Sequence, residues 1–143
     1  MGVLLPFCFD DGMTGTGRLT LSVLEGEFAV AQVPPGSSLP LWAARGLLWA
    51  VVGAPGEVSV VTGAANVPPD VRAEPGWVAL RLHGPFPFEL TGILAAVLNP
   101  LRDAGVGIFA LSTFDTDYVL VKADRLPDAL AALRRAGHEI TDS

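Results

Sequence analysis

The second half of the chain changes hydrophobic period in an order that few folds accept. Val78, Leu80 and Leu82 alternate with Arg81 and His83, the two-residue period of a strand with one face turned inward. Leu90, Ile93, Leu94, Val97, Leu98 and Leu101 then recur at helical spacing and make one apolar stripe. Residues 106–113 and 117–122 return to strand character on either side of a Phe114-Asp115-Thr116 turn. A second stripe follows in Leu126, Leu130 and Leu133, with Asp124 expected as N-cap and Pro127 in the first turn. Gly105 and Gly137 mark the helix ends, and residues 138–141 supply a last short strand. Pro100, inside the first stripe, predicts a kink or restart there. The order β-α-β-β-α-β predicts a ferredoxin-like α+β unit, with both helices covering one face of an antiparallel sheet. The opposite face, with Arg81 and His83 among small and apolar residues, is expected to be covered by a sheet, subunit or half-domain.

The first half has no comparable helical stripe. Residues 1–17 read as a leader or edge strand. Residues 19–24 and 28–33 are expected to form a hairpin across Glu25-Gly26-Glu27, and 39–44 a short helical turn. Residues 47–52 and 57–62 read as a second strand pair across Gly53-Ala54-Pro55-Gly56. Pro68, Pro69, Pro75 and Gly76 make the stretch 66–76 the boundary between halves. The expected organisation is a leader over 1–17, a first, β-rich unit over 18–74 and a second unit over 77–143. A chain of 143 residues suffices for one compact domain or two very small ones.

Charge and composition exclude several functions. Fifteen acidic residues against nine basic ones give a net charge of −6, which repels a phosphate backbone, so no nucleic-acid partner is expected. Half the residues are hydrophobic and 17% are charged, too apolar for a disordered chain. So much apolar surface in so small an interior predicts a homodimer through sheet edges or the open sheet face. The most apolar window, 39–55, is broken by Arg45, Gly46 and Gly53 and falls short of the roughly 20 residues of a membrane span, so no membrane partner is expected. No secretory signal pattern opens the chain. The lone Cys8, between Phe7 and Phe9, reads as a small buried hydrophobe and not as a catalytic thiol. A reducing, cytoplasmic location follows.

No catalytic set assembles, and neither a metal nor a cofactor is expected. Asp115 and Asp117 lie at the i, i+2 spacing that puts two carboxylates on one side of an extended chain, but Asp also simply favours hairpin turns. Gly84-Pro85 with Gly92 lacks any phosphate-loop pattern and reads as chain turning. His83 and His138 have no nucleophile motif beside them and read as strand-surface or edge residues. Trp42, Trp49 and Trp77 read as packing residues rather than a pocket lining.

Two stretches carry a resemblance to a known family: Gly84-Pro85-Phe86-Pro87-Phe88-Glu89-Leu90-Thr91-Gly92-Ile93-Leu94, and Ile108-Phe109-Ala110-Leu111-Ser112-Thr113-Phe114-Asp115-Thr116-Asp117-Tyr118-Val119-Leu120-Val121. Together they resemble the ACT domain, a βαββαβ regulatory module that commonly binds amino acids. More narrowly they look like bacterial proteins related to the CASTOR arginine sensors, which pair two ACT-like units in one chain. Leu24-Glu25-Gly26-Glu27-Phe28-Ala29-Val30 is similar to the degenerate first unit of that group. The likeness covers most of 18–141, closely over 77–122 and loosely before.

The resemblance implies a regulatory, non-catalytic protein that binds an amino acid or similar small molecule at an interface between ACT units, with a regulated protein partner or homodimerisation. The implied ligand residues are Thr91, Gly92 and Ile93 at the helix start, Ser112, Thr113 and Phe114 at the strand end, and Asp117 beyond them. A helix start offers N–H groups and positive dipole to a carboxylate, and Asp117 accepts from an amine or guanidinium. The arginine sensors carry an acidic residue near the position of Leu90, where this chain has only the adjacent Glu89. That departure motivates the alternative, a ligand-free interaction or oligomerisation module.

Overall fold

The computed structural model describes residues 18–87 and 91–141. The leader with Cys8, the helix-stripe residue Leu90 and its neighbour Glu89 lie outside the described residues. The described chain is mixed α+β: eight strands, two α-helices and three short 3-10 turns. It divides into two compact units, an inserted unit of residues 25–78 and a flanking unit built from 18–24 together with 79–141.

That division differs from the expected 18–74 and 77–143. Strand β1 (Thr20–Val23) does not form a hairpin with β2 (Phe28–Val33). The reason is the length of β5 (Arg72–Leu82), eleven residues long, which is antiparallel to both along different parts of itself. Residues 80–82 take β1 in the register Leu21↔Leu82, Ser22↔Arg81, Val23↔Leu80, whereas residues 72–77 pair with β2.

In the inserted unit, β3 (Ala50–Ala54) and β4 (Glu57–Gly63) form the expected hairpin, and β2 lies on the other edge of β4. Strand β3 starts three residues later than the pattern predicts, leaving Leu47 and Trp49 exposed ahead of it. Leu41–Ala43 makes the expected short turn as a 3-10 helix, and Ala64–Asn66 makes another. One apolar cluster packs Ala31, Ala43 and Val60 under Trp42, Val51, Val71 and Ala73, and Phe28, Ala29, Val33, Leu48 and Val61 are buried as well. A buried Thr62 hydroxyl holds the Leu41–Ala43 turn down by donating to the Ala43 carbonyl at 2.8 Å, and it accepts from Asn66 at 3.0 Å.

In the flanking unit, α1 (Ile93–Asp103) follows β5. Strands β6 (Phe109–Ser112) and β7 (Asp117–Lys122) then form a hairpin, followed by α2 (Leu126–Arg135) and β8 (Glu139–Thr141). Strand β7 pairs with β5 on one side and β6 on the other. The order β-α-β-β-α-β is present, but its strands do not close a sheet alone. β1 lies between β5 and β8, antiparallel to the first and parallel to the second, so the sheet is mixed.

Both helices cover the same sheet face. Leu19, Leu21, Leu80, Leu82, Val119 and Val121 meet Ile93, Val97 and Leu101 of α1 and Ala129 and Leu133 of α2. Each buried leucine of this kind contributes roughly 1.5–3 kcal/mol. On the opposite face Ser22 is fully buried, and its hydroxyl hydrogen-bonds His83 and, at 3.1 Å, Thr141.

Of two expectations about the helices, the restart at Pro100 is not seen and the N-cap of the second helix is corrected. α1 runs without a restart through Pro100 to Asp103. Proline removes the N–H that would bond the Ala96 carbonyl, and the ring of His138 takes that acceptor instead at 2.8 Å. α2 starts after a 3-10 turn, Ala123–Arg125, so Asp124 is not its N-cap. The capping position is Arg125, whose guanidinium bonds Asp128 at 3.2 Å and the carbonyls of Gly105 and Ala104 at 3.2 and 3.4 Å. A cation on the carbonyls just past the end of α1 suits the negative end of that helix dipole.

Candidate functional site

The β6–β7 turn builds the site. Thr113 N–H donates to Thr116 O at 2.8 Å, and the Thr113 hydroxyl adds bonds to Thr116 O at 3.1 Å and from Thr116 N–H at 3.3 Å. The Thr116 hydroxyl reaches back to Leu82 O at 2.6 Å, which ties the turn to the end of β5. The segment after β5 closes the other wall: Phe86 N–H donates to Asp115 O at 2.9 Å. Gly84 is required for that approach, because a Cβ there would lie 2.9 Å from Asp115 O.

These contacts enclose a cleft of about 210 Å³, lined by Phe86, Pro87, Ile93 and the run 112–117. It is smaller than the roughly 300–1,000 Å³ of drug-sized pockets. Ile93, Ser112, Thr113, Phe114 and Asp117, five of the seven residues to which the sequence points, line it together. Thr91 and Gly92 are exposed at the start of α1 and are not among the lining residues. Gly92, at φ +85, is the N-cap and supplies no side-chain cap. Phe86, Pro87, Asp115 and Thr116 join the lining without being among those seven. The sequence signal for the first two is the glycine-proline run 84–87, which by itself reads only as chain turning.

Chemically the cleft is anionic. Asp115 and Asp117 both line it, and among the described residues no basic side chain does. The Ser112 hydroxyl donates to Asp117 Oδ1 at 2.5 Å, which fixes one carboxylate oxygen. Phe86 and Phe114 add apolar surface, Phe114 being 79% exposed. Among the described residues no group of three or more His, Cys, Asp or Glu side chains is placed to hold a metal ion, and no helix is long and apolar enough to cross a membrane.

A larger groove of about 520 Å³ lies in the inserted unit, lined by Gln32–Pro35 and Asp70–Arg72. Its polar groups are partly spent on each other, with Arg72 bonding Gln32 at 3.4 Å. Trp42 packs on the core of that unit as expected, but Trp49, expected to pack, is 47% exposed.

Residues 72–135 match the family model described as the ACT domain. The human protein CASTOR3P is 37% identical over 62 residues, and the match spans 38% of each chain, so this chain aligns with well under half of that relative. The crystal structure of protein Atu0741 from Agrobacterium tumefaciens is 36% identical, covers 88% of this chain and is itself 94% covered, with a TM-score of 0.83. The ligand-free regulatory subunit of aspartate kinase from Thermus thermophilus shares the fold at 10% identity and a TM-score of 0.59, with 81% of this chain and 96% of that one aligned.

Proposed function

Because the chain belongs to the ACT-domain family, we propose that it is a regulatory, non-catalytic protein of the cytoplasm whose flanking unit binds an amino acid in the cleft between residues 86–87 and the 112–117 turn. The observation that carries this reading is the carboxylate of Asp117, held by Ser112 in a cleft whose described lining has a second carboxylate and no basic side chain. Such a site recognises an α-amino group or a basic side chain through charge-assisted hydrogen bonds. Ile93 brings the first turn of α1 to the same cleft, and the N–H groups of a helix start suit the carboxylate of the ligand. In this reading the inserted unit is a second ACT-like unit reduced to strands and 3-10 turns, and the protein works as a homodimer or on a regulated partner.

Thermal denaturation with each of the twenty amino acids tests it. A ligand at a hundred times its Kd stabilises the folded state by about 2.7 kcal/mol, so at least one amino acid raises Tm, and Asp117→Asn cuts that rise by about half or more at the same ligand concentration. Unchanged Tm with all twenty at millimolar concentration contradicts the reading.

One set of residues favours the second reading, an interaction module. Leu39, Leu41, Leu47 and Val52 of the inserted unit are 63–74% exposed, and Trp49 stands with them in the sequence. Their closeness in sequence supports a docking surface in this reading, since contiguous exposed apolar patches mark protein interaction sites.

A further inference from the structure

His138 is 6% exposed and takes no part in the cleft. Its two ring nitrogens meet backbone groups whose roles are fixed. Nδ1 lies 3.0 Å from the Leu19 N–H, which can only donate. Nε2 lies 2.8 Å from the Ala96 carbonyl, which can only accept. Nδ1 therefore carries no proton and Nε2 carries one, so the partners impose the neutral Nε2–H tautomer. The Ala96 carbonyl is available because Pro100 has no N–H to offer it. One imidazole thus joins the middle of α1 to the residue preceding β1, with Glu139 N–H to Leu19 O at 2.8 Å beside it.

We propose that His138 is a pH-operated latch of the flanking unit: neutral, it clamps α1 to the start of β1, and protonation at Nδ1 sets two donors face to face and releases Leu19. Ala96 lies one turn from Ile93 of the cleft, so the clamp and the cleft share the first half of α1. The charged neighbours bear on the direction. Burial is the larger cause that lowers the pKa of His138, and Arg18, just before β1, also opposes a positive ring; the bond to Ala96 acts the other way. α2 ends in Arg134 and Arg135, β8 begins with Glu139, and α1 has no titratable side chain before Arg102. The latch does not depend on what fills the cleft.

Long-range ¹H–¹⁵N spectra of the full chain read the tautomer directly. At pH 8 the His138 ring is expected as Nε2–H with an unprotonated Nδ1, and a ring found as Nδ1–H overturns the proposal. Urea unfolding between pH 5 and 8 reads the release. One-proton linkage makes the unfolding constant rise by up to about tenfold per pH unit on going down from about 6.5 towards the lower folded value. His83→Gln controls for the other histidine and should keep this dependence, whereas His138→Gln should flatten it. An unchanged pH dependence in His138→Gln overturns the proposal. If that variant does not fold, the tautomer and the Leu19 amide of the unaltered protein decide. Hydrogen exchange of that amide, corrected for the intrinsic rate, should speed up on acidification, and constant protection from pH 8 to 5 overturns the latch.

Discussion

The flanking and inserted units are both strand-rich and both bury apolar residues, yet they differ in how many they leave exposed. The flanking unit places two helices over one sheet face and buries Leu21, Leu80, Leu82, Leu101 and Leu133 almost completely. The inserted unit has no α-helix; it buries Phe28, Val33, Leu48, Val60 and Val61 but leaves Leu39, Leu41, Leu47 and Val52 more than half exposed. A helix is what turns an apolar sheet face into an interior. The flanking unit also holds the 112–117 turn by hydrogen bonds from Thr116 to Leu82 O and from Phe86 N–H to Asp115 O.

The comparison breaks most visibly in the cores. Leu82→Ala should cost about 2–5 kcal/mol in chemical denaturation, as fully buried leucines do, while Leu41→Ala, 74% exposed, should stay within about 0.5 kcal/mol. Comparable losses from both would mean that the surface of the inserted unit is buried in solution, which mass photometry would then show as assembly.

A sharper test lies at the cleft. Asp117→Asn should weaken amino-acid binding by about 1.5–3 kcal/mol in calorimetry, the worth of a hydrogen bond to a charged group, with little change in Tm of the free protein. Asp115 lines the same cleft, so it is no neutral control; Glu57→Gln, exposed in the inserted unit, is the better one and should bind normally. Gly84→Ala should destabilise the protein by about 1–3 kcal/mol, because its Cβ would press on Asp115 O and the backbone must shift. The same substitution at Gly53, where a Cβ meets nothing, should be close to neutral.

The smallest effect is that of pH. Burial lowers the pKa of His138, so the unfolded chain binds the proton more readily. Stability is then full above the unperturbed value near 6.5 and falls as pH drops below it, by at most about 1.4 kcal/mol per unit, until the folded value is reached. Thermal melts at pH 8 and 5.5 should show the loss in the native chain and less of it in His138→Gln.

The legible part of this molecule is the part written in periodicity. The stripes Ile93–Leu101 and Leu126–Leu133, the alternation of 78–83 and the 114–116 turn all map onto elements, and five of the seven candidate residues line one cleft. What periodicity cannot carry is pairing at a distance. Nothing local tells β1 to leave β2 and insert between β5 and β8, since the register is set by an eleven-residue partner about sixty positions away. Pro100 read alone predicts a kink or restart; the fold brings His138, 42 residues on from Ala96, to the carbonyl that Pro100 leaves without a donor. Phe86 reaches the cleft through a backbone bond to Asp115, a contact between main-chain atoms that no side-chain pattern encodes.

Backbone amide chemical-shift mapping, with a pool of the twenty amino acids as probe, tests most directly the claim that the helix-covered unit holds the ligand. Binding at the cleft predicts shifts concentrated at residues 84–87, 91–95 and 112–117, with 25–78 undisturbed. Shifts concentrated at residues 32–35 and 70–72, or none anywhere, would contradict it.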